Sequence, residues 1–218
     1  GISFAADISG YYQKDISIFD RDGQLGAGLN FSNIGTKMSY SDSQTSDFIP
    51  MNMRLGSALT VHLDKFNALT GTIDLNKLLV PTPPIYNSSG EIVDGMDPNV
   101  SVPVAIFHSF YDAPGVFNEE DQKYTGKFKE ELHEITYSTG IEYWYNNQFA
   151  VRGGYFHENA SKGNRKYFTA GAGFRLKMFT LDFSYLMPLS QNNPLARTLR
   201  FSLAFDINGL SSTGRSKG

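Results

Sequence analysis

The sequence predicts an all-β chain, a transmembrane antiparallel β-barrel, on three observations. Apolar and polar residues alternate strictly over unusually long stretches, the connections between those stretches alternate between short and long, and aromatic residues gather at the stretch ends. Successive side chains of a strand point to opposite faces, so sustained alternation marks a sheet standing between two different surroundings. From Thr198 to Ile207 one face carries Leu199, Phe201, Leu203, Phe205 and Ile207, and the other carries Thr198, Arg200, Ser202, Ala204 and Asp206.

About nine strands are expected, near 1–13, 23–32, 52–63, 68–79, 133–145, 148–158, 166–177, 178–188 and 196–207. In the fifth, Ile135, Tyr137, Ile141, Tyr143 and Tyr145 oppose Thr136, Ser138, Gly140, Glu142 and Trp144. In the seventh, Phe168, Ala170, Ala172, Phe174 and Leu176 oppose Thr169, Gly171, Gly173 and Arg175. The eighth sets Phe179, Leu181, Phe183, Tyr185 and Met187 against Thr180, Asp182, Ser184 and Leu186. Strands of about 10–12 residues exceed the usual length of about 5–6. Their polar faces hold Gly, Ser, Thr, Asp and Arg rather than the Lys and Glu that a soluble sandwich shows to water. Tyr11, Tyr12, Tyr143, Tyr145, Phe149, Tyr155, Phe156, Tyr167 and Phe168 fall where interfacial girdles would lie.

Short turns are expected at 64–67, 146–147 and 177–178, and long connections at 33–51, 80–131, 159–165 and 189–195. Outer-membrane barrels have this asymmetry, with tight periplasmic turns and longer external loops, which puts the C-terminus in the periplasm. Residues 1–210 then form the C-terminal portion of a single barrel with a large external loop at 80–131, and 211–218 is a small, polar, basic tail. An odd strand number and a strand-like opening, Gly1-Ile2-Ser3-Phe4-Ala5, lead us to expect about five more strands upstream.

Composition narrows the classes. In 218 residues there are 21 Gly, 17 Phe and 12 Tyr, and no cysteine, so no disulfide or thiolate metal site forms. A net charge of −3 gives no reason to expect nucleic acid as a partner. The mean hydropathy of −0.30 reads as soluble, but a barrel hides its apolar residues at every second position.

No nucleophile with a base in reach and no metal-ligand spacing is legible, so no catalytic residue, cofactor or metal is expected. The histidines, His62, His108, His133 and His157, lack zinc spacing. Asp20-Arg21-Asp22-Gly23 lacks the later ligands of a calcium loop and reads as a turn. On the inward face Asp7, Asn30, Arg54, Asp74, Glu142, Arg152, Arg175, Asp182, Arg200 and Asp206 mix both signs, as charge pairs across a filled interior would. The stretch 104–117, Val-Ala-Ile-Phe-His-Ser-Phe-Tyr-Asp-Ala-Pro-Gly-Val-Phe, is costly on an exposed loop unless it plugs the barrel or meets a partner. A short helix is expected at 127–132.

Residues 141–188, IEYWYNNQFAVRGGYFHENASKGNRKYFTAGAGFRLKMFTLDFSYLMP, and 193–203, NPLARTLRFSL, resemble the PorV family of the bacterial type IX secretion system. FYDAPGVF at 110–117 and KEELHE at 129–134 are similar to that family too. The resemblance implies a FadL-like barrel with 14 strands in the full protein and a non-enzymatic outer-membrane shuttle. Such a shuttle takes cargo, through the cargo's C-terminal signal domain, from the translocon barrel SprA and hands it to an attachment complex containing the sortase PorU. PorQ is a related barrel of the same system. By that resemblance the partner-binding residues are Ile106, Phe107, Phe110, Tyr111, Pro114 and Phe117, with outer-membrane lipid around the wall. A FadL-type channel for long-chain hydrophobic molecules is the alternative, and a surface lipase or deacylase a third.

Overall fold

The computed structural model describes residues 1–38, 46–118, 123–176, 178–189 and 198–205. Lys177, most of the connection after Leu189, Asp206 and the tail 211–218 lie outside them, as do residues 193–197 of the closing motif. The long strands are β1 (Ala5–Ile18), β2 (Arg21–Gly35), β3 (Asn52–His62) and β4 (Asn67–Leu78). The segment after β4 carries β5 (Ile85–Tyr86), β6 (Ile92–Asp94), α1 (Val102–His108), β7 (Val116–Asn118), β8 (Lys123–Thr125) and α2 (Lys127–His133). Then follow β9 (Thr136–Tyr145), β10 (Phe149–His157), β11 (Lys166–Arg175), β12 (Phe179–Pro188) and β13 (Leu199–Phe205).

Among the described residues nine long strands form one antiparallel sheet, ordered β1-β2-β3-β4-β9-β10-β11-β12-β13. The expected strands and these match one for one. β1 and β13 stand at opposite ends of the ladder with no partner on their outer sides, so the sheet is open among the described residues. The register fixes the two faces. Leu29, Leu55, Leu75 and Tyr137 stand in line across β2, β3, β4 and β9, and Phe174 and Leu181 continue the same face on β11 and β12. Leu25, Leu29, Leu55, Leu59, Ile73, Ile141, Val151, Leu181, Phe183 and Phe201 are all exposed on it. A soluble sandwich would cover that face with a second sheet. None of the described residues does so.

Turn chemistry explains the tight end. Phe19 and Asp20 both take left-handed φ (50° and 59°), the conformation that matches the twist of a two-residue hairpin, and Asn146 and Asn147 repeat it. Between β3 and β4, the Asp64 carboxylate accepts the N–H groups of Phe66 (2.8 Å) and Asn67 (2.9 Å). These turns share one end of the sheet, and the long connections share the other.

On the polar face Arg152 donates to Glu142 on β9 and to Asp182 on β12, both at 2.5 Å, as mixed-sign pairing predicts. Arg175 instead lies 4.4 Å over the Trp144 ring. On the apolar face Tyr137, Tyr155, His157 and Phe168 make ring contacts near the long-loop end. Of the girdle residues expected there, Tyr155 and Phe168 lie on this face, but the period-two register turns Phe156 and Tyr167 to the polar face, where they stack on each other, and turns Tyr11 there as well.

The large loop is built, not loose. Met51, Leu79 and Ala105 are fully buried together, with Phe31, Phe48, Ile49, Met53, Val102 and Ile106 packed around them. Pro103 sits in the first turn of α1, where its missing N–H costs nothing. The first part of the apolar stretch 104–117, expected on an exposed loop, is the helix α1, whose Ala105 and Ile106 pack against the Met51 cluster.

Candidate functional site

The long-loop rim carries two assemblies that meet. The first is an ionic clasp built on α2. Lys77, at the end of β4, falls on the apolar face by register, yet it is buried because its ammonium reaches Glu131 (3.1 Å) and Glu134 (2.7 Å). Glu134 also accepts from the Thr82 hydroxyl (2.7 Å) and from Lys162 (3.0 Å), and Lys162 reaches Glu130 (2.6 Å). The remaining carboxylate oxygens take backbone donors: Ala113 N–H to Glu131 (2.9 Å) and Gly115 N–H to Glu130 (2.6 Å). Asp112 accepts the Thr82 N–H at 3.0 Å. The two family-like motifs of this region, 110–117 and 129–134, are therefore bonded to each other.

Lys162 reaches the clasp from a second loop, which is itself pinned. Asn159 caps the 160–162 turn, accepting from the Ser161 N–H (3.0 Å). Arg165 forks onto Glu158 with bonds of 2.7 and 2.6 Å. Gly163, at φ 137°, leaves no room for a Cβ beside the Glu158 carboxylate.

Electrostatics follow from this wiring. Burial pushes the Asp112 carboxyl up, Thr82 opposes that with its hydrogen bonds, and the charges of Glu131 and Glu134 add to it. Burial also pushes Glu134 up, but the bonds from Lys77, Thr82 and Lys162 outweigh it and hold the group below its ordinary 4.5. The Arg165 fork is the main cause that lowers Glu158. A lowered carboxyl gives stability above its ordinary value that disappears as pH falls through the folded one; a raised carboxyl loses stability as pH rises through its own. The rim is therefore expected to loosen on acidification below 4.5, through Glu134 and Glu158, with Asp112 acting in the opposite sense. Amide exchange at Thr82, Ala113 and Gly115, corrected for intrinsic rate, should quicken between pH 5 and 3. A flat profile would refute this.

The second assembly is aromatic. Of the expected partner-binding residues, Phe107 is 70% exposed and Tyr111 57%, while Phe110 and Phe117 are exposed to a lesser degree. Ile106 is partly buried against the Met51 cluster, and Pro114 is buried. Phe117 leaves the group, pairing with Tyr124 across the β7–β8 hairpin at 5.1 Å. The site is thus an exposed patch of Phe107, Phe110 and Tyr111 held up by Ile106, Pro114 and the clasp. The clasp residues Lys77, Asp112, Glu130, Glu131, Glu134 and Lys162 were not singled out from the sequence. The signal available was Lys77 on an otherwise apolar face and three glutamates in five residues.

Two cavities flank the clasp. One of about 550 Å³ opens on the polar face between Arg54, Asp74, Thr82, Glu134, Ser138 and Tyr167. The other, about 230 Å³, lies on the apolar face under α2. No residue of 104–117 lines the first, so nothing in that stretch plugs the polar side there.

No curated protein matches the chain. Residues 1–85, which span β1 to β4 and the start of the large loop, match the family described as Type IX secretion system protein PorV. That segment lies outside the motifs at 110–117, 129–134 and 141–203, so different parts of the chain point the same way. Over those residues the chain is similar to the PorV family of the type IX secretion system.

Proposed function

We propose that this chain is a non-enzymatic shuttle subunit of the type IX secretion system in the bacterial outer membrane. Its long loops face the cell surface and its C-terminus the periplasm. The match over residues 1–85 carries the reading. The uncovered apolar face, its aromatic girdle and the tight-turn end support a barrel wall in lipid. On this reading the Phe107, Phe110 and Tyr111 patch meets the C-terminal signal domains of secreted cargo at a SprA-like translocon barrel. The cargo then passes to a PorU-like attachment complex. Exposed aromatic anchors on a rigid support are the usual centre of such contacts.

Because Phe107 and Tyr111 are exposed, the double change Phe107→Ser with Tyr111→Ser is expected to leave folding and membrane insertion intact. Surface delivery of cargo should fall about tenfold or more, the effect of losing one hot spot of about 1.4–2 kcal/mol. Capture from solubilised membranes, followed by mass spectrometry, should then recover less of the large barrel and of the cargo. Undiminished delivery would remove the patch from the mechanism. A FadL-type channel is the second reading, favoured by the 550 Å³ cavity on the polar face. It requires uptake of long-chain hydrophobic molecules by reconstituted vesicles.

A further inference from the structure

The polar face carries two opposite charges that the fold leaves unused. The 550 Å³ cavity beneath the rim is walled by six charged side chains. Lys162 is bonded to Glu134, and Arg165 to Glu158. Arg54 and Asp74 have no ion-pair or hydrogen-bond partner among the described residues, although they are diagonal neighbours on β3 and β4. Asp74 lies instead over Gly56, where a Cβ would collide with its Oδ1. One row of the sheet explains the open space beside them. From β2 to β4 and on through β9, β10 and β11 it reads Gly28, Gly56, Asp74, Ser138, Phe156, Tyr167. The two glycines lay a floor without side chains, and a second cavity of about 240 Å³ on that floor shares Arg54 and Asp74 with the larger one. At the other end Phe156 stacks on Tyr167, with ring centroids 4.8 Å apart, and its next neighbour in the row is the short Ser138.

The larger cavity falls within the roughly 300–1,000 Å³ of pockets that hold whole small molecules. Its wall charges balance, so an ion set between Arg54 and Asp74 is attracted by one and repelled by the other. A hydroxyl group suits both, because it accepts from a guanidinium and donates to a carboxylate. Asn76, Thr136 and Ser138 add amide and hydroxyl groups to the same wall. Guanidinium and carboxylate each present two atoms in one plane, which matches neighbouring hydroxyls on a sugar ring. The flat apolar face of Phe156, also in the wall, matches the C–H face of such a ring. A long-chain hydrophobic molecule would strip water from these polar groups and return no hydrogen bond. An amino-acid-like zwitterion would meet the two charges and leave the glycine floor empty.

We propose that this trough binds a neutral oligosaccharide. One sugar ring packs on Phe156 and shares its hydroxyls between Arg54 and Asp74, and a second unit lies over Gly28 and Gly56. The site needs only the polar face of the sheet, so it stands whether or not the aromatic patch meets cargo. Thr82, Glu134 and Lys162 line the same cavity, so a bound sugar lies against the clasp that supports that patch.

Saturation-transfer NMR titrations of the purified full chain in detergent micelles test this, with maltotriose, mannotriose and tri-N-acetylchitotriose as probes. At least one of these trisaccharides should bind, and dodecanoate should not compete with it. Arg54→Ala and Asp74→Ala should each weaken that binding at least tenfold, whereas Ser202→Ala, on the same face of β13, should leave it unchanged. Neither Arg54 nor Asp74 holds another side chain in place, so both variants should keep the folded, fast-migrating form in detergent gels. Binding of none of the three probes by the unaltered protein would overturn the proposal. So would competition by dodecanoate, an equal loss in Ser202→Ala, or opposite effects of the Arg54 and Asp74 changes, which is the signature of a charged ligand.

Discussion

Replacing Lys77 by methionine is expected to destabilise the rim by about 3 kcal/mol, the low end of the cost of breaking a buried ion pair. The side chains of Lys77 and Glu131 are 5% and 9% exposed, so the loss leaves carboxylate charge in a place water scarcely reaches. Glu134 keeps Lys162 and Thr82, which is why the low end is expected. The damage should be local. The strands keep their ladders, while α2 and 112–115 lose the bonds that join them. Limited proteolysis should cut within 79–135 at least tenfold faster, with the sheet core surviving. The double change Lys77→Met with Glu131→Gln should recover part of the loss, because it removes a stranded charge. Unchanged cleavage would mean that the Met51 cluster alone holds the loop.

Arg152→Met is expected to cost about 2 kcal/mol and to act on the sheet instead. Arg152 is the only cation bonded to Glu142 and Asp182 among the described residues, and it ties β9, β10 and β12 across the polar face. All three side chains are about one-third exposed, so solvent screening trims the loss. The readout is the temperature at which the folded, fast-migrating form in detergent gels converts to the unfolded one. It should drop by several degrees, and Arg152→Lys should restore little, because a single ammonium cannot fork to two carboxylates that stand three strands apart, on β9 and β12. No shift would mean that the register is held by backbone bonds alone.

The sheet was legible because its two faces meet opposite surroundings, so every second residue of Thr198–Phe205 or Phe179–Met187 repeats the same instruction. Strand ends were less so. The strand expected from 133 begins at Thr136, because α2 runs on to His133 and Glu134 is needed in the clasp. The helix expected at 127–132 is present, since Glu130, Glu131 and Phe128 segregate by side within two turns. α1 was hidden, because an apolar run such as 104–107 suits a strand or a helix equally. The clasp was hidden for a different reason: Lys77 and Glu131 are separated by 54 positions, and period-two patterns carry no record of contacts at that range.

The order of strands in the sheet also sets how the chain can assemble. Every ladder but one joins neighbours in sequence; the exception is β4 with β9, from Asn67 with Tyr145 to Asn76 with Thr136. Bringing those two together across 79–135 costs about 3 kcal/mol more loop-closure entropy than a two-residue turn. The chain thus divides kinetically into a four-strand block and a five-strand block, and the seam between them is the slow step. Lys77 lies at the β4 end of that seam and Glu134 just before β9. Their bond shortens the effective span to be closed, so the clasp is a candidate nucleus for zipping the two halves into one wall.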